Sequence, residues 1–105
     1  MKILKELIEK SYDTLEEIEW YGEQAHHLKY EHKSLAEKYI EIAEMHVKIY
    51  GMLHSEMVAL IEEQKKKGLA VPTSMQEIWN YEHSKLVEEF NEAKFVIEEY
   101  KKSNY

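Results

Sequence analysis

The stretch "WNYEHSKLVEEFNEAKFVIEEY", residues 79–100, decides the fold class because its apolar residues follow a single helical seam. The residues of this seam, separated alternately by four and three positions, are Trp79, His83, Leu86, Phe90, Ala93, Ile97 and Tyr100. An average spacing of about 3.5 residues is the one that lets long helices pack side by side. The sequence therefore predicts a long helix over residues 74–102.

The residues before this helix predict how it begins and how the preceding one ends. Ser74 stands three residues before Glu77, which is a capping-box pattern. The segment "KKKGLAVPTS", residues 65–74, is predicted to be a loop. In it, Gly68 suits the left-handed residue that ends a helix, and Pro72 blocks continuation of that helix.

The middle of the chain predicts a second helix, over residues 34–67, with a broad apolar band. The centre of this band recurs every seven residues and consists of Ala36, Ala43, Tyr50 and Met57. Further apolar or aromatic positions flank it and include Leu35, Ile42, Ile49, Tyr39, His46, Leu53 and Leu60. Because the band is wider than one coiled-coil seam, we expect this helix to contact neighbours on more than one side.

The first segment predicts a helix over residues 2–32, and its end is the least certain boundary in the chain. Its apolar stripe has residues separated by three, four or seven positions and consists of Leu4, Ile8, Leu15, Ile18, Gly22 and Ala25. Ser34 and Glu37 form a second capping box, which favours a break near Lys33. The alternative is one continuous helix from the N-terminus to Lys67. The preferred interpretation is a single all-α domain over residues 1–105, an antiparallel bundle of three long helices that forms a homo-oligomer.

Composition excludes several classes of function. The formal net charge is −7 and arginine is absent, so phosphate recognition and nucleic-acid binding are disfavoured. The absence of cysteine excludes disulfides, thiolate metal sites and a cysteine nucleophile. No apolar run approaches the length of about 20 residues that a membrane span needs. We therefore expect no membrane contact and a cytoplasmic location.

A metal site is the sharpest chemical hypothesis that the sequence offers. Glu23 and His26 have the Glu-x-x-His spacing that di-iron bundle proteins use, although no second copy of the motif occurs. His46 and His83 lie on apolar stripes, and this pair, completed by Glu23 or Glu19, could bind zinc or another transition metal. The set that we assign as candidate metal ligands is Glu23, His26 and His46. The alternative is that His26 lies at a helix surface or interface. His46 and His83 would then be hydrogen-bonded core histidines or lie at a subunit contact. No other cofactor is expected.

Small and aromatic residues on the predicted seams indicate where helices or subunits meet. We assign to such interfaces Gly22, Ala25, Tyr50, Met57, Trp79 and His83. Gly22 and Gly51 each cost a helix about 1 kcal/mol relative to alanine. Close packing or a ligand would explain them, and simple tolerance of the cost is the alternative.

The run "LAEKYIEIAEMHVKIYGMLHSEMVALIEE" (35–63), Pro72 and "MQEIWNYEHSKLVEEFNEAKFVIEEYKK" (75–102) together resemble a family of small helical proteins of phages and prophages. That family is ferritin-like and has no settled biochemical role. Its members tend to carry Glu-x-x-His before a Leu-His pair. This chain keeps the pair as Leu53 and His54, but it has His46 and Ile49 at the motif positions. The resemblance implies a phage context, either virion-associated or in the cytoplasm of a bacterial host.

The expected function is therefore non-enzymatic. We expect a small phage-type scaffold or binding protein that acts through self-association and a protein partner. One alternative is a phage inhibitor of a host defence system that binds a protein or a small ligand. The other is a ferritin-like metal-binding protein.

Overall fold

A computed structural model describes residues 2–67 and 73–103, with side chains from residue 76 onward in the second range. These residues form three helices, α1 over Lys2–Leu28, α2 over Lys33–Lys66 and α3 over Thr73–Ser103. The described residues contain no strand, so the predicted all-α class and number of helices are confirmed. The bundle is long and thin, with extents of 57 × 19 × 17 Å.

The break between α1 and α2 lies at residues 29–32, so the alternative of one continuous helix is wrong. α1 ends at Leu28, four residues before the predicted boundary, and the backbone N–H of His32 donates to the Leu28 carbonyl at 2.8 Å. His32 occupies the N-cap of α2 without a side-chain cap hydrogen bond. Ser34 lies inside the helix, so the capping box predicted at Ser34 is not the start of α2.

The second loop separates α2 from α3. α2 ends at Lys66, and the N–H of Lys67 donates to the Glu63 carbonyl at 3.1 Å, which closes the last turn. The predicted stop at Gly68 and Pro72 lies outside the described residues, as does the side chain of Ser74. α3 begins at Thr73, one residue before the predicted start.

The predicted stripes supply the hydrophobic core. α1 buries its stripe except at Ile8, which is half-buried. It also buries two polar residues, Ser11 and Thr14, whose hydroxyls donate to carbonyls four residues earlier. The central positions of α2 are all buried, namely Ala36, Ala43, Tyr50 and Met57. The seam of α3 is buried at Leu86, Ala93, Ile97 and Tyr100. Burial of these stripes, at about 25 cal/mol per Å² of apolar surface, is the main stabilising contribution to the fold.

Contacts between the helices give their relative placement. The Ser11 hydroxyl of α1 lies 3.8 Å from the sulfur of Met57, near the end of α2. At the opposite end of the bundle, Lys29 Nζ donates to the Ser103 hydroxyl at 2.9 Å, just beyond α1 and at the end of α3. The start of α1 therefore lies beside the end of α2, and its end lies beside the end of α3.

The two helical glycines have different surroundings. A methyl group at Gly22 would lie 2.7 Å from Cγ1 of Val96, so close packing of α1 on α3 requires glycine there. A methyl group at Gly51 would meet no atom of the described residues within 4 Å. Close packing inside the chain therefore explains Gly22 but does not explain Gly51.

Substituting these two glycines by alanine should have opposite effects on stability. Gly51→Ala should raise the free energy of unfolding by about 0.5–1 kcal/mol, since alanine is the better helix former. Gly22→Ala should lower it by about 1–3 kcal/mol, because the stiff Val96 side chain must move. Urea unfolding followed by circular dichroism measures both values. A stabilising Gly22→Ala variant would contradict the close contact with Val96.

Candidate functional site

The three residues predicted to bind a metal lie in different surroundings. Glu23 is exposed on α1. His26, one turn later, points toward α3, where its Nε2 lies 3.3 Å from the Val96 carbonyl oxygen and its ring meets Tyr100 edge to face. The imidazole of His26 therefore contributes to the packing of α1 on α3.

His46 takes part in a separate contact between α1 and α2. Its Nδ1–H donates to the Ile42 carbonyl at 2.9 Å, and its ring stacks on Tyr21 at 5.8 Å between centroids. In the part of the chain that the structure describes, no group of three or more His, Asp and Glu residues is placed to hold a metal ion. The structure therefore does not bring Glu23, His26 and His46 together, and their assignment as metal ligands remains a prediction.

A pair of histidine side chains joins α2 to α3. Nε2 of His54 and Nε2 of His83 lie 3.0 Å apart, so one imidazole donates its N–H and the other accepts. Trp79 stacks on His83 at 5.1 Å, and Tyr50 stacks on His54 at 6.0 Å. Tyr50 also stacks on Phe90 at 4.3 Å. These five rings form one continuous contact between the two helices, which we call the histidine–aromatic ladder.

Sequence reasoning found only part of this ladder. It placed His83, Trp79 and Tyr50 on buried seams, and in the structure His83 and Tyr50 contact His54 while Trp79 stacks on His83. It did not identify His54 as the hydrogen-bond partner of His83. The available signal was the position of His54 four residues after Tyr50, on the buried side of α2.

Burial and the neighbouring His83 both lower the pKa of His54. The folded protein therefore binds a proton at His54 less readily than the unfolded chain does, whose histidine pKa is about 6.5. The ladder's contribution to stability is present above that pH and is lost as the pH falls through the lowered pKa of folded His54. The pKa of Glu19 is raised, first by burial and then by repulsion from Glu23, Glu92, Glu89 and Glu16. Its effect on stability as the pH falls is therefore opposite to that of His54.

We expect His54→Gln to reduce the loss of stability that wild type shows between pH 7.5 and pH 5. The glutamine amide can still hydrogen-bond to His83 but does not titrate, so the penalty for protonating residue 54 disappears. The measurement is urea unfolding of both proteins at the two pH values, with the difference between the proteins as the result. That difference cancels the contribution of Glu19. His27→Gln, at an exposed histidine, is the control and should behave as wild type.

An apolar groove of about 490 Å³ lies between the starts of α1 and α3. Its apolar lining includes Leu4, Ile8, Ile78 and Trp79. At its edge the Tyr12 hydroxyl donates to the Glu82 carboxylate. Burial, together with this bond to Glu82, raises the pKa of Tyr12. The groove is therefore mainly apolar, with one hydrogen-bonded polar pair at its edge.

The side of α2 that faces away from the core carries a second row of apolar side chains, which we call the outer stripe. It consists of Leu35, Ile42, Met45, Ile49, Met52 and Ala59. Four of these are large and exposed, with 43% of Leu35, 58% of Met45, 44% of Ile49 and 69% of Met52 accessible. These side chains form an exposed, largely apolar row along one face of α2.

The predicted interface residues lie elsewhere. Gly22, Ala25, Tyr50 and Met57 are buried inside this chain, so within the bundle they pack helix against helix. Trp79 and His83 are half-buried in the histidine–aromatic ladder. Sequence reasoning noted Leu35, Ile42 and Ile49 as flanking positions but did not extract the outer stripe. The missed signal was the seven-residue spacing of Met45, Met52 and Ala59.

Comparison of the chain with protein-family models, with curated proteins and with solved structures finds no match. Among the described residues, no helix has the combination of length and apolar character that crossing a membrane requires.

Proposed function

We propose that this chain is a non-enzymatic helical scaffold or binding protein that assembles with copies of itself and with a protein partner. In this proposal it is an antiparallel three-helix bundle of a phage or prophage, as the family resemblance implies. The observation that carries the proposal is the outer stripe of α2. Four exposed large apolar side chains on one helix face cost solubility unless another surface covers them.

The position of the outer stripe supports assembly more than it supports internal packing. α2 already buries Ala36, Ala43, Tyr50 and Met57 against the other helices, so the stripe is additional to the core. Its side chains can be covered without unfolding any helix of the bundle. Methionines at two of the positions, Met45 and Met52, adapt readily to a second surface because their side chains are flexible.

Light scattering on the purified protein tests the assembly. We expect wild type at tens of micromolar to have at least twice the monomer mass, and Ile49→Glu to have the monomer mass. Because Ile49 is exposed, the melting temperature of the Ile49→Glu monomer should stay close to that of unassembled wild type. Phe95→Glu changes an exposed apolar residue on α3 and is the matched control, which should keep the wild-type mass. A wild type that is monomeric at every concentration would overturn self-association.

A second candidate function, capture of a small apolar ligand, is favoured by the groove between α1 and α3. The groove is lined by Leu4, Ile8, Ile78 and Trp79, with the hydrogen-bonded pair Tyr12–Glu82 at its edge. This candidate corresponds to a phage inhibitor that sequesters a ligand of a host defence system. It uses a different surface from the outer stripe, so the two functions can be tested separately.

Anilinonaphthalene sulfonate is the probe for this groove. In a Trp20→Phe background, which leaves Trp79 as the only tryptophan, bound dye should quench Trp79 fluorescence. Ile78→Glu should abolish the quenching because a charge enters the groove, whereas Ile49→Glu, on the outer stripe, should preserve it. Quenching that survives Ile78→Glu would place the dye elsewhere and remove the support for this candidate.

A further inference from the structure

The outer stripe continues through two charged positions that its apolar residues do not explain. Lys38 and Glu56 occupy the same face of α2, so that the face has one residue every three or four positions from residue 35 to residue 59. This is the spacing of a seam between two long helices. Both charged side chains are exposed, and Lys38 forms an exposed ion pair with Glu41 at 3.4 Å. The seam therefore carries its own pair of opposite charges.

These charges discriminate between the two ways of pairing α2 with a second copy of itself. In a parallel pair, each seam residue faces its own counterpart. Lys38 would then face Lys38 and Glu56 would face Glu56, and like charges in contact are destabilising. In an antiparallel pair the two helices run in opposite directions, so a residue near the start of one α2 faces a residue near the end of the other. Lys38 of one copy can then face Glu56 of the other.

One antiparallel register satisfies every position of the seam. When the numbers of facing residues add up to 94, Lys38 of one copy faces Glu56 of the other. Every other facing pair in this register is apolar, namely Leu35 with Ala59, Ile42 with Met52, and Met45 with Ile49. The contact is then symmetric about a two-fold axis level with residue 47, and it closes as a dimer.

Neighbouring registers are worse for a physical reason. A shift of seven residues in one direction places Lys38 opposite Ile49, which buries a charge against an apolar side chain. A shift in the other direction places Glu56 opposite Met45, with the same penalty. The charged positions therefore select one register as well as one orientation.

We propose that two copies of this chain dimerise through the outer stripe of α2, antiparallel, with Lys38 of each copy paired with Glu56 of the other. This inference rests on the proposed self-association and specifies its geometry. The histidine–aromatic ladder and the groove between α1 and α3 stay outside the contact. Lys48, which is exposed beside the seam, lies one residue from the two-fold axis in this arrangement.

Cysteine cross-linking tests the orientation and the register, since the chain has no cysteine of its own. Leu35→Cys and Ala59→Cys are prepared separately and treated with a short bis-maleimide, alone and as an equimolar mixture. We expect a cross-linked dimer in the mixture only. In the proposed register the two Leu35 positions lie 24 residues apart along the seam, about 36 Å at 1.5 Å per residue. The reagent cannot span that distance.

Each other outcome has a defined meaning. A dimer from Leu35→Cys alone would show a parallel pair and overturn the inference. Absence of cross-linking in the mixture, while light scattering still detects a dimer sensitive to Ile49→Glu, would overturn the register and leave the proposed self-association standing. A monomeric wild type would overturn both.

Charge exchange provides an independent measurement. Lys38→Glu and Glu56→Lys should each weaken dimerisation at least threefold, because each single change places like charges opposite one another. The double variant should recover to within about twofold of wild type. Glu37→Lys, an exposed charge on α2 outside the seam, is the control and should leave the dissociation constant unchanged. Failure of the double variant to recover would exclude the Lys38–Glu56 pair.

Discussion

The small width of a bundle made from three long helices is the constraint that determines the rest of the structure. Its two short extents are 19 and 17 Å, whereas a single helix with its side chains is about 10–12 Å wide. A bundle of that width has room for one internal line of side chains from each helix. Any second apolar row on a helix must therefore lie on the outside. α2 has such a row, and this geometry is the reason that its outer stripe lies outside the core.

Small residues bring the helices close enough for that internal line to be continuous. Ala25 on α1, Ala36 and Ala43 on α2, and Ala93 on α3 are all fully buried. At Gly22 even a methyl group would collide with Val96. Close approach improves packing density, on which dispersion contacts depend. The same closeness makes the bundle intolerant of larger residues at these positions.

Periodicity in the sequence predicted the helices and their inward faces because burial imposes the spacing directly. The same spacing includes Ser11, which lies between Ile8 and Leu15 in the α1 stripe and is buried. Ser11 was left out of the predicted stripe because it is polar. Periodicity could not identify which histidine meets which. His54 and His83 come from different helices, and their 3.0 Å contact depends on the rotation and axial offset of α2 against α3. The end of α1 at Leu28 was missed because the turn that follows has neither glycine nor proline.

In the proposed dimer, the charged residues of the outer stripe affect the orientation of the pair more than the strength of binding. An exposed ion pair such as Lys38 with Glu56 contributes about 0–1 kcal/mol, so the apolar side chains must supply most of the affinity. Each copy also has a formal net charge of −7, which opposes association at long range. A mismatch at either charged position adds a local penalty to that repulsion. Two opposite charges at fixed positions therefore make one orientation less unfavourable than its competitors, which is how polar seam residues specify pairing in coiled coils.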